Sequence, residues 1–345
     1  METYFKGPYF LGGLRLNSNI FCAPLAGCSD YPFRKMIHRY RPGLFFCEMV
    51  KMDALVRNDP NTFQTLAYDH TMHPTAAQLC GSKVGIAAES ARILVDMGFD
   101  LIDLNCGCPV DKVTRDGSGS GLLRTPEKIG DIIAEITNAV KVPVTVKIRA
   151  GWNEETINAP AITQIAESAG AAAIFVHGRT RAQGYKGPAK RHYIQECVQA
   201  ASSIEVFGNG DIVDPLSAEA MFRVSGCSGI LLARGLLGRP WLIEDISRHL
   251  QKLPPKPRSG LDVYQHFLQH VEETLAYENP RKALLCVRRL SAWYIQQVGG
   301  VRAIRHQLSR LRSVEEILSL FEQCDWEDLP LAHSESSSEE KILHQ

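Results

Sequence analysis

Eight short runs rich in Val, Ile, Leu and Phe recur along the chain, each followed by a Gly- or polar-rich loop and then a helical pattern, and they predict an α/β fold, a TIM (β/α)8 barrel. The runs are apolar on both faces, as strands of a parallel sheet covered by helices are. Eight such units in about 230 residues fit a closed barrel better than an open sheet. Amphipathic patterns beyond the eighth unit add a small C-terminal helical bundle.

In chain order, "YFLGGLRLNS" reads as a small hairpin closing the barrel's bottom. The strands are "IFCAPL" (20–25), "LFFCEM" (44–49), "TAAQLC" (75–80), "DLIDLN" (100–105), "VPVTVKI" (142–148), "AAIFVHG" (172–178), "IEVFGN" (204–209) and "GILLAR" (229–234). Helices such as 85–98 and 125–140 lie between them, the second with Thr125 as N-cap and Pro126 at its first position. The barrel takes residues 1–250, a Pro- and Lys-rich linker 251–260, the helical domain 261–325, and an acidic, Ser-rich, flexible tail 326–345.

With 345 residues and 45% hydrophobic content, the chain can bury a substantial core. It has no apolar run of membrane-spanning length and no signal-peptide pattern, so a cytosolic protein is expected; it is also expected to be a monomer. Ten scattered cysteines without a CxxC pair argue against a zinc module or a dithiol redox motif, and no metal is expected.

A barrel gathers the C-terminal ends of its strands on one face, where active sites form. The residues at those ends are Pro24-Leu25-Ala26, Glu48, Gln78, Asn105, Lys147 with Arg149, His177 with Arg179, Asn209-Gly210-Asp211, and Ala233-Arg234. Nearly every strand thus delivers a polar residue to one ring. The last two loops, "GNGDIVDP" and "ARGLLGRPW", would present backbone N–H groups to a phosphate. No GxGxxG follows the first strand, and Lys147 could stabilise a reduced, anionic ring, so the cofactor read from these residues is FMN. The fourth strand ends in "LNCGCP". Its two cysteines are open to three readings: a metal or redox pair, inert small residues in a turn, or one reactive thiol at a strand end.

With these residues in place, the chain resembles the tRNA-dihydrouridine synthases over nearly its whole length. The resemblance runs through "APLAGCSDYPFR" (23–34), "QLCG" (78–81), "DLNCGCPVDKV" (103–113), "GSGSGLL" (117–123), "VTVKIRAGW" (144–152), "VHGRTRAQGY" (176–185), "FGNGDI" (207–212) and "LLARGLLGRPW" (231–241). It implies FMN in a barrel, NADPH (or NADH) as reductant, and a helical domain that holds tRNA. Pro24, Leu25 and Ala26 would line the flavin. Gln78 and Lys147 would meet its ring. Asn209, Gly210, Asp211, Ala233 and Arg234 would surround ribityl and phosphate, with His177 against ring or phosphate. Asn105, Arg149 and Arg179 would serve the substrate, and Cys108 would be the proton donor. A thiol of ordinary pKa, about 8.5, is largely protonated at neutral pH and can act as an acid there. Cys106 would then be a packing residue. Leu25, Cys106, Ala233 and Leu290 stand where the family usually has Met, Met, Gly and His.

The formal net charge is zero, yet residues 279–314 hold eight Lys or Arg and no Asp or Glu. Arg281, Lys282, Arg288, Arg289, Arg302, Arg305, Arg310 and Arg312, with Trp293 and Tyr294 interleaved, suit an RNA backbone. Arg288 and Arg289 are the expected tRNA contacts. A flavin barrel acting on a free pyrimidine would explain the barrel but not this basic segment. An inactive RNA-binding barrel would leave the ring of Lys147, Arg149, His177 and Cys108 without a purpose.

Overall fold

The computed structural model describes residues 4–299, 304, 307, 308 and 310–332. A hairpin of β1 (Tyr9–Leu11) and β2 (Leu14–Leu16) precedes nine parallel strands: β3 (Ile20–Cys22), β4 (Leu44–Phe46), β5 (Val50–Lys51), β6 (Thr75–Cys80), β7 (Leu101–Cys106), β8 (Val144–Arg149), β9 (Ala173–His177), β10 (Glu205–Asn209) and β11 (Gly229–Leu232). They are ordered β4-β3-β11-β10-β9-β8-β7-β6-β5, and β4 also pairs with β6, which closes the barrel. The expected second strand, 44–49, keeps only its first half as β4, and a further short piece, β5, lies just past its end; both pair with β6. The chain leaves the sheet at Glu48, whose carboxylate accepts the Gly27 N–H at 2.7 Å. The helix Pro126–Ala139 begins where expected, but Thr125 makes no side-chain cap bond.

Alternation along the strands builds two layers inside the barrel. At the bottom, Phe21, Phe46, Phe175 and Phe207 pack with Leu101, Leu231 and the hairpin's Tyr9, Leu11 and Leu16. Phe21 stacks on Phe207 with ring centroids 4.6 Å apart. Above this apolar plug the inward positions turn polar: Gln78, Asp103, Asn105, Thr145 and Lys147. The alternate residues Ile102, Leu104, Cys106, Val146 and Ile148 belong to the larger core shared with the outer helices.

The helices Gly260–Tyr277, Pro280–Ile295 and Val314–Glu322 enclose a second core around Phe267, Leu290, Tyr294 and Phe321. Leu290 is buried there as a packing residue. Ser259 and Asp262 form a capping box at the start of the first of these helices. The preceding linker is pinned: Arg258 bonds Glu244 at 2.6 Å and Asp245 at 3.1 Å. The unit docks on the helix Tyr31–His38 through Lys35–Glu273 (2.5 Å) and the tilted ring contact of Tyr31 with Tyr277. It also docks on Gly238, where a Cβ would lie 2.4 Å from the Trp293 carbonyl oxygen. The helix Pro280–Ile295 therefore abuts the loops after β3 and β11.

Of residues 326–332, expected as the start of a flexible tail, Trp326 is buried and Leu329 and Leu331 are half-buried, while Glu327, Asp328, Pro330 and Ala332 are exposed. Trp326 is buried against Phe321 and stacked on Tyr264 with centroids 5.0 Å apart, and its indole N–H donates to the Phe321 carbonyl. Leu331 bridges to Val298. The remainder of the expected tail lies outside the described residues.

Candidate active site

The C-terminal ends of the strands surround a cavity of about 650 Å³. Pro24, Leu25, Ala26, Gln78, Asn105, Cys108, Lys147, Arg149, His177, Asn209, Gly210, Asp211, Ala233 and Arg234 all line it. Arg179, Arg288 and Arg289 are not on its wall.

Cys108 is held from several directions. Asn105 Oδ1 accepts the N–H groups of Gly107 (3.2 Å) and Cys108 (3.0 Å). Arg149 Nε donates to the Gly107 carbonyl at 2.8 Å. The Cys108 carbonyl takes bonds from Ser120 N (3.1 Å) and Ser120 Oγ (2.8 Å). Gly119 presses against this turn at φ +58°, and a Cβ there would meet Cys108 Cβ at 3.2 Å. Cys108 consequently faces the cavity. Cys106 faces the outer core, fully buried, and burial pushes its thiol pKa well up.

Beneath the cavity runs a chain of polar side chains. Asp103, with no exposure, accepts Thr145 Oγ1 and Gln78 Nε2, both at 2.7 Å. Gln78 Oε1 accepts Asn105 Nδ2 at 2.7 Å. Burial raises the Asp103 pKa to about 6 against the opposing hydrogen bonds. Lys147, opposite Asn105 in the β7–β8 register, donates to Asn209 Oδ1 at 3.1 Å. Burial, and then the Arg149 charge, lower its pKa to about 8. No carboxylate lies within ion-pair distance of its ammonium among the described residues. A bound group with negative character would supply that missing charge.

The opposite wall carries more cations. Arg179 Nη1 can only donate and lies 3.3 Å from His177 Nε2, so Nε2 accepts and the ring proton sits on Nδ1. Burial, then Lys147 and the neighbouring arginines, hold His177 neutral. Arg179 also bonds Asp211 at 2.6 Å and the Gly187 carbonyl, so it supports the Asn209-Gly210-Asp211 turn from behind. Arg234 reaches Asp211 at 3.4 Å and lies over the Tyr185 ring. The backbone N–H groups of Asp211, Arg234 and Gly235 have no protein acceptor among the described residues. An acceptor-rich anion fits there. The cavity volume falls within the range of about 300–1,000 Å³ that small ligands occupy. Anion-ready turns at one end and a cation at the floor suit a phosphate-bearing, electron-accepting ring such as FMN.

Arg149 spends Nε and Nη1 on the carbonyls of Gly107, Thr180 and Gly184, which leaves Nη2 for a ligand. Arg288 and Arg289 have partners inside the protein. Arg288 donates to the Leu311 carbonyl, and Arg289 to the Gly27 carbonyl and Asp30. Arg302 and Arg305 lie outside the described residues, while Arg281, Arg310 and Arg312 are exposed.

Strand ends alone did not single out Asp103, Met49, Val110, Ser120 or Tyr185. For Asp103 a signal existed: in "LIDLNC" it shares the inward parity of Asn105. Met49, Val110 and Tyr185 line the cavity from loops; Met49 closed the expected strand 44–49 but was passed over for Glu48, and no local pattern marked the other two.

The family model for dihydrouridine synthase matches residues 21–328. A probable tRNA-dihydrouridine synthase of Rhodobacter capsulatus is 38% identical over 90% of this chain and 95% of its own. The tRNA-dihydrouridine synthase B of Escherichia coli K12 is 35% identical over 90% of this chain and 97% of its own. Among solved structures, histamine dehydrogenase from Rhizobium sp. 4-9 (TM-score 0.54, 13% identity, 77% of this chain and 50% of that one) and morphinone reductase (TM-score 0.50, 13% identity, 72% and 90%) share the barrel fold. Among the described residues no helix is long and apolar enough to cross a membrane.

Proposed function

Because the chain belongs to the dihydrouridine synthase family, we propose that it reduces uridines in tRNA to dihydrouridine, with FMN in the barrel mouth, NADPH or NADH as reductant and Cys108 as proton donor. One observation carries this reading: an anchored thiol and the Lys147 cation face a single cavity with anion-ready turns at its edge.

When bound, a reduced flavin supplies the hydride that adds to carbon 6 of the uracil ring. The Cys108 thiol gives its proton to carbon 5, so two electrons and two hydrogens saturate the double bond, and solvent then reprotonates the sulfur. Asn105 and Arg149 hold the turn that aims the thiol. Arg149 Nη2 is available to a uracil carbonyl or a nearby phosphate. Lys147 stabilises negative charge at the cavity floor. His177 offers a neutral Nδ1–H. Exposed Arg281, Arg310 and Arg312, on the helical unit beside the mouth, offer RNA contacts.

The test separates two half-reactions. Cys108→Ala should retain flavin and its reduction by NADPH, while dihydrouridine formation on unmodified tRNA falls about a hundredfold or more. Cys106→Ala should keep both steps. A wild-type rate of uridine reduction in Cys108→Ala would remove the thiol from the mechanism.

A further inference from the structure

Asp103 is a charged side chain with no exposure, no place on the cavity wall and no step in the reaction above. An ionised carboxylate so placed is unfavourable, and its pKa, pushed up to about 6, reflects that. Its neighbours indicate what it does. Thr145 Oγ1 donates to Oδ1 and Gln78 Nε2 to Oδ2. Gln78 Oε1 accepts Asn105 Nδ2, and Asn105 Oδ1 accepts the N–H groups of Gly107 and Cys108. Every donor in this chain points toward Asp103.

The direction is forced from both ends. Backbone N–H groups can only donate, and an ionised carboxylate can only accept. Each intervening amide has one donor end and one acceptor end, so only one arrangement satisfies the whole chain. Gln78 is 1% and Asn105 7% exposed, so a reversed amide would leave buried donors and acceptors facing their own kind.

We infer that Asp103 is a positioning residue for uridine reduction: as an acceptor fixed below the cavity, it sets the orientation of Gln78 and Asn105 and thereby the aim of the Cys108 thiol. The inference rests on the reading of Cys108 as proton donor. Neutralising Lys147 is the alternative role for Asp103, and the two make different demands. Positioning needs an acceptor facing Gln78; neutralisation needs a charge.

Two near-isosteric substitutions separate them. Asp103→Asn removes the charge but can keep an acceptor toward Gln78, because the Thr145 hydroxyl can rotate to accept from the new amide. Thr145→Val alone leaves the carboxylate accepting from Gln78. Together they leave the new amide's donor without an acceptor except Gln78 Oε1. Taking that acceptor sets donor against donor along the chain and opens the Asn105 clamp on the turn.

On the purified holoprotein, flavin content, flavin reduction by NADPH and reoxidation by unmodified tRNA are measured. So is amide hydrogen exchange in the peptide carrying Gly107 and Cys108. Each single variant should stay within about twofold of wild type in both half-reactions. The double variant should lose about a hundredfold in reoxidation by tRNA, the scale of a misaimed group, with flavin reduction kept and exchange at the turn accelerated. A full loss already in Asp103→Asn, or a double variant at wild-type rate, overturns the inference. Equal loss of flavin, both half-reactions and thermal stability makes Asp103 merely structural and overturns it too. Cys108→Ala, run in parallel, identifies failure of the underlying reading: there the uridine step would survive loss of the thiol itself.

Discussion

Arg289→Ala tests whether this arginine is a tRNA contact or a fastener between the helical unit and the cavity. Its guanidinium donates to the Gly27 carbonyl and to Asp30 Oδ2 at 3.2 Å, and it lies over the Trp293 ring. Gly27, held from its N–H side by Glu48, sits in the loop whose Pro24, Leu25, Ala26 and Cys28 line the cavity. Removing the guanidinium leaves the Gly27 carbonyl and a largely buried Asp30 without these donors. Two hydrogen bonds from a charged donor would each contribute about 1.5–3 kcal/mol if fully buried. The Arg289 side chain is 34% and Asp30 22% exposed, so solvent screening reduces the combined loss to about 2 kcal/mol. In a chain of this size that lowers the melting temperature by about 3 °C. If half of the loss falls on the cavity loop, flavin affinity drops about fivefold. The assays are thermal melting and flavin retained through gel filtration. Arg281→Ala is the control: it is on the same helix, exposed, and without an ion pair among the described residues, so it should change stability by no more than about 0.5 kcal/mol. The fastener argument is refuted if Arg289→Ala melts and holds flavin like wild type while tRNA affinity falls and its salt dependence flattens by about one unit of slope.

Lys147→Met should stabilise the flavin-free protein by about 3 kcal/mol below pH 8 while weakening flavin binding. The ammonium holds its proton less tightly in the folded chain, at about 8, than in the unfolded one. The folded state is therefore penalised below pH 8, and urea denaturation should show the gain fading between pH 8 and about 10.4. A gain that persists unchanged to pH 10.5 would be inconsistent with a charge penalty. Trp326→Ala should cost about 3–5 kcal/mol, because it empties an aromatic cluster with Tyr264 and Phe321. A change under about 0.5 kcal/mol would mean that residues 326–332 add nothing to the helical core.

The barrel, its bottom hairpin and most of the cavity wall are legible in the amino-acid sequence. Those features are written in local terms: apolar runs of strand length, loops punctuated by Gly and Pro, and polar residues at strand ends that the barrel must gather on one face. Parity within "LIDLNC" even separates the inward Asn105 from the outward Cys106. What depends on neighbours distant in sequence emerges only when the elements pack together. Arg288 and Arg289 are adjacent on one helix, about 100° apart around its axis, and packing turned one to Leu311 and the other to Gly27 and Asp30. Composition grouped Trp326 with an acidic tail, and only the cleft between Tyr264 and Phe321 gave it a core role. Asp103 was legible as an inward residue, but its partners were not. Gln78 and Thr145 lie 25 and 42 positions away, and it is the register of β6, β7 and β8 that sets them on either side of the carboxylate. A strand pattern specifies which face a side chain takes; sheet register specifies what it meets there.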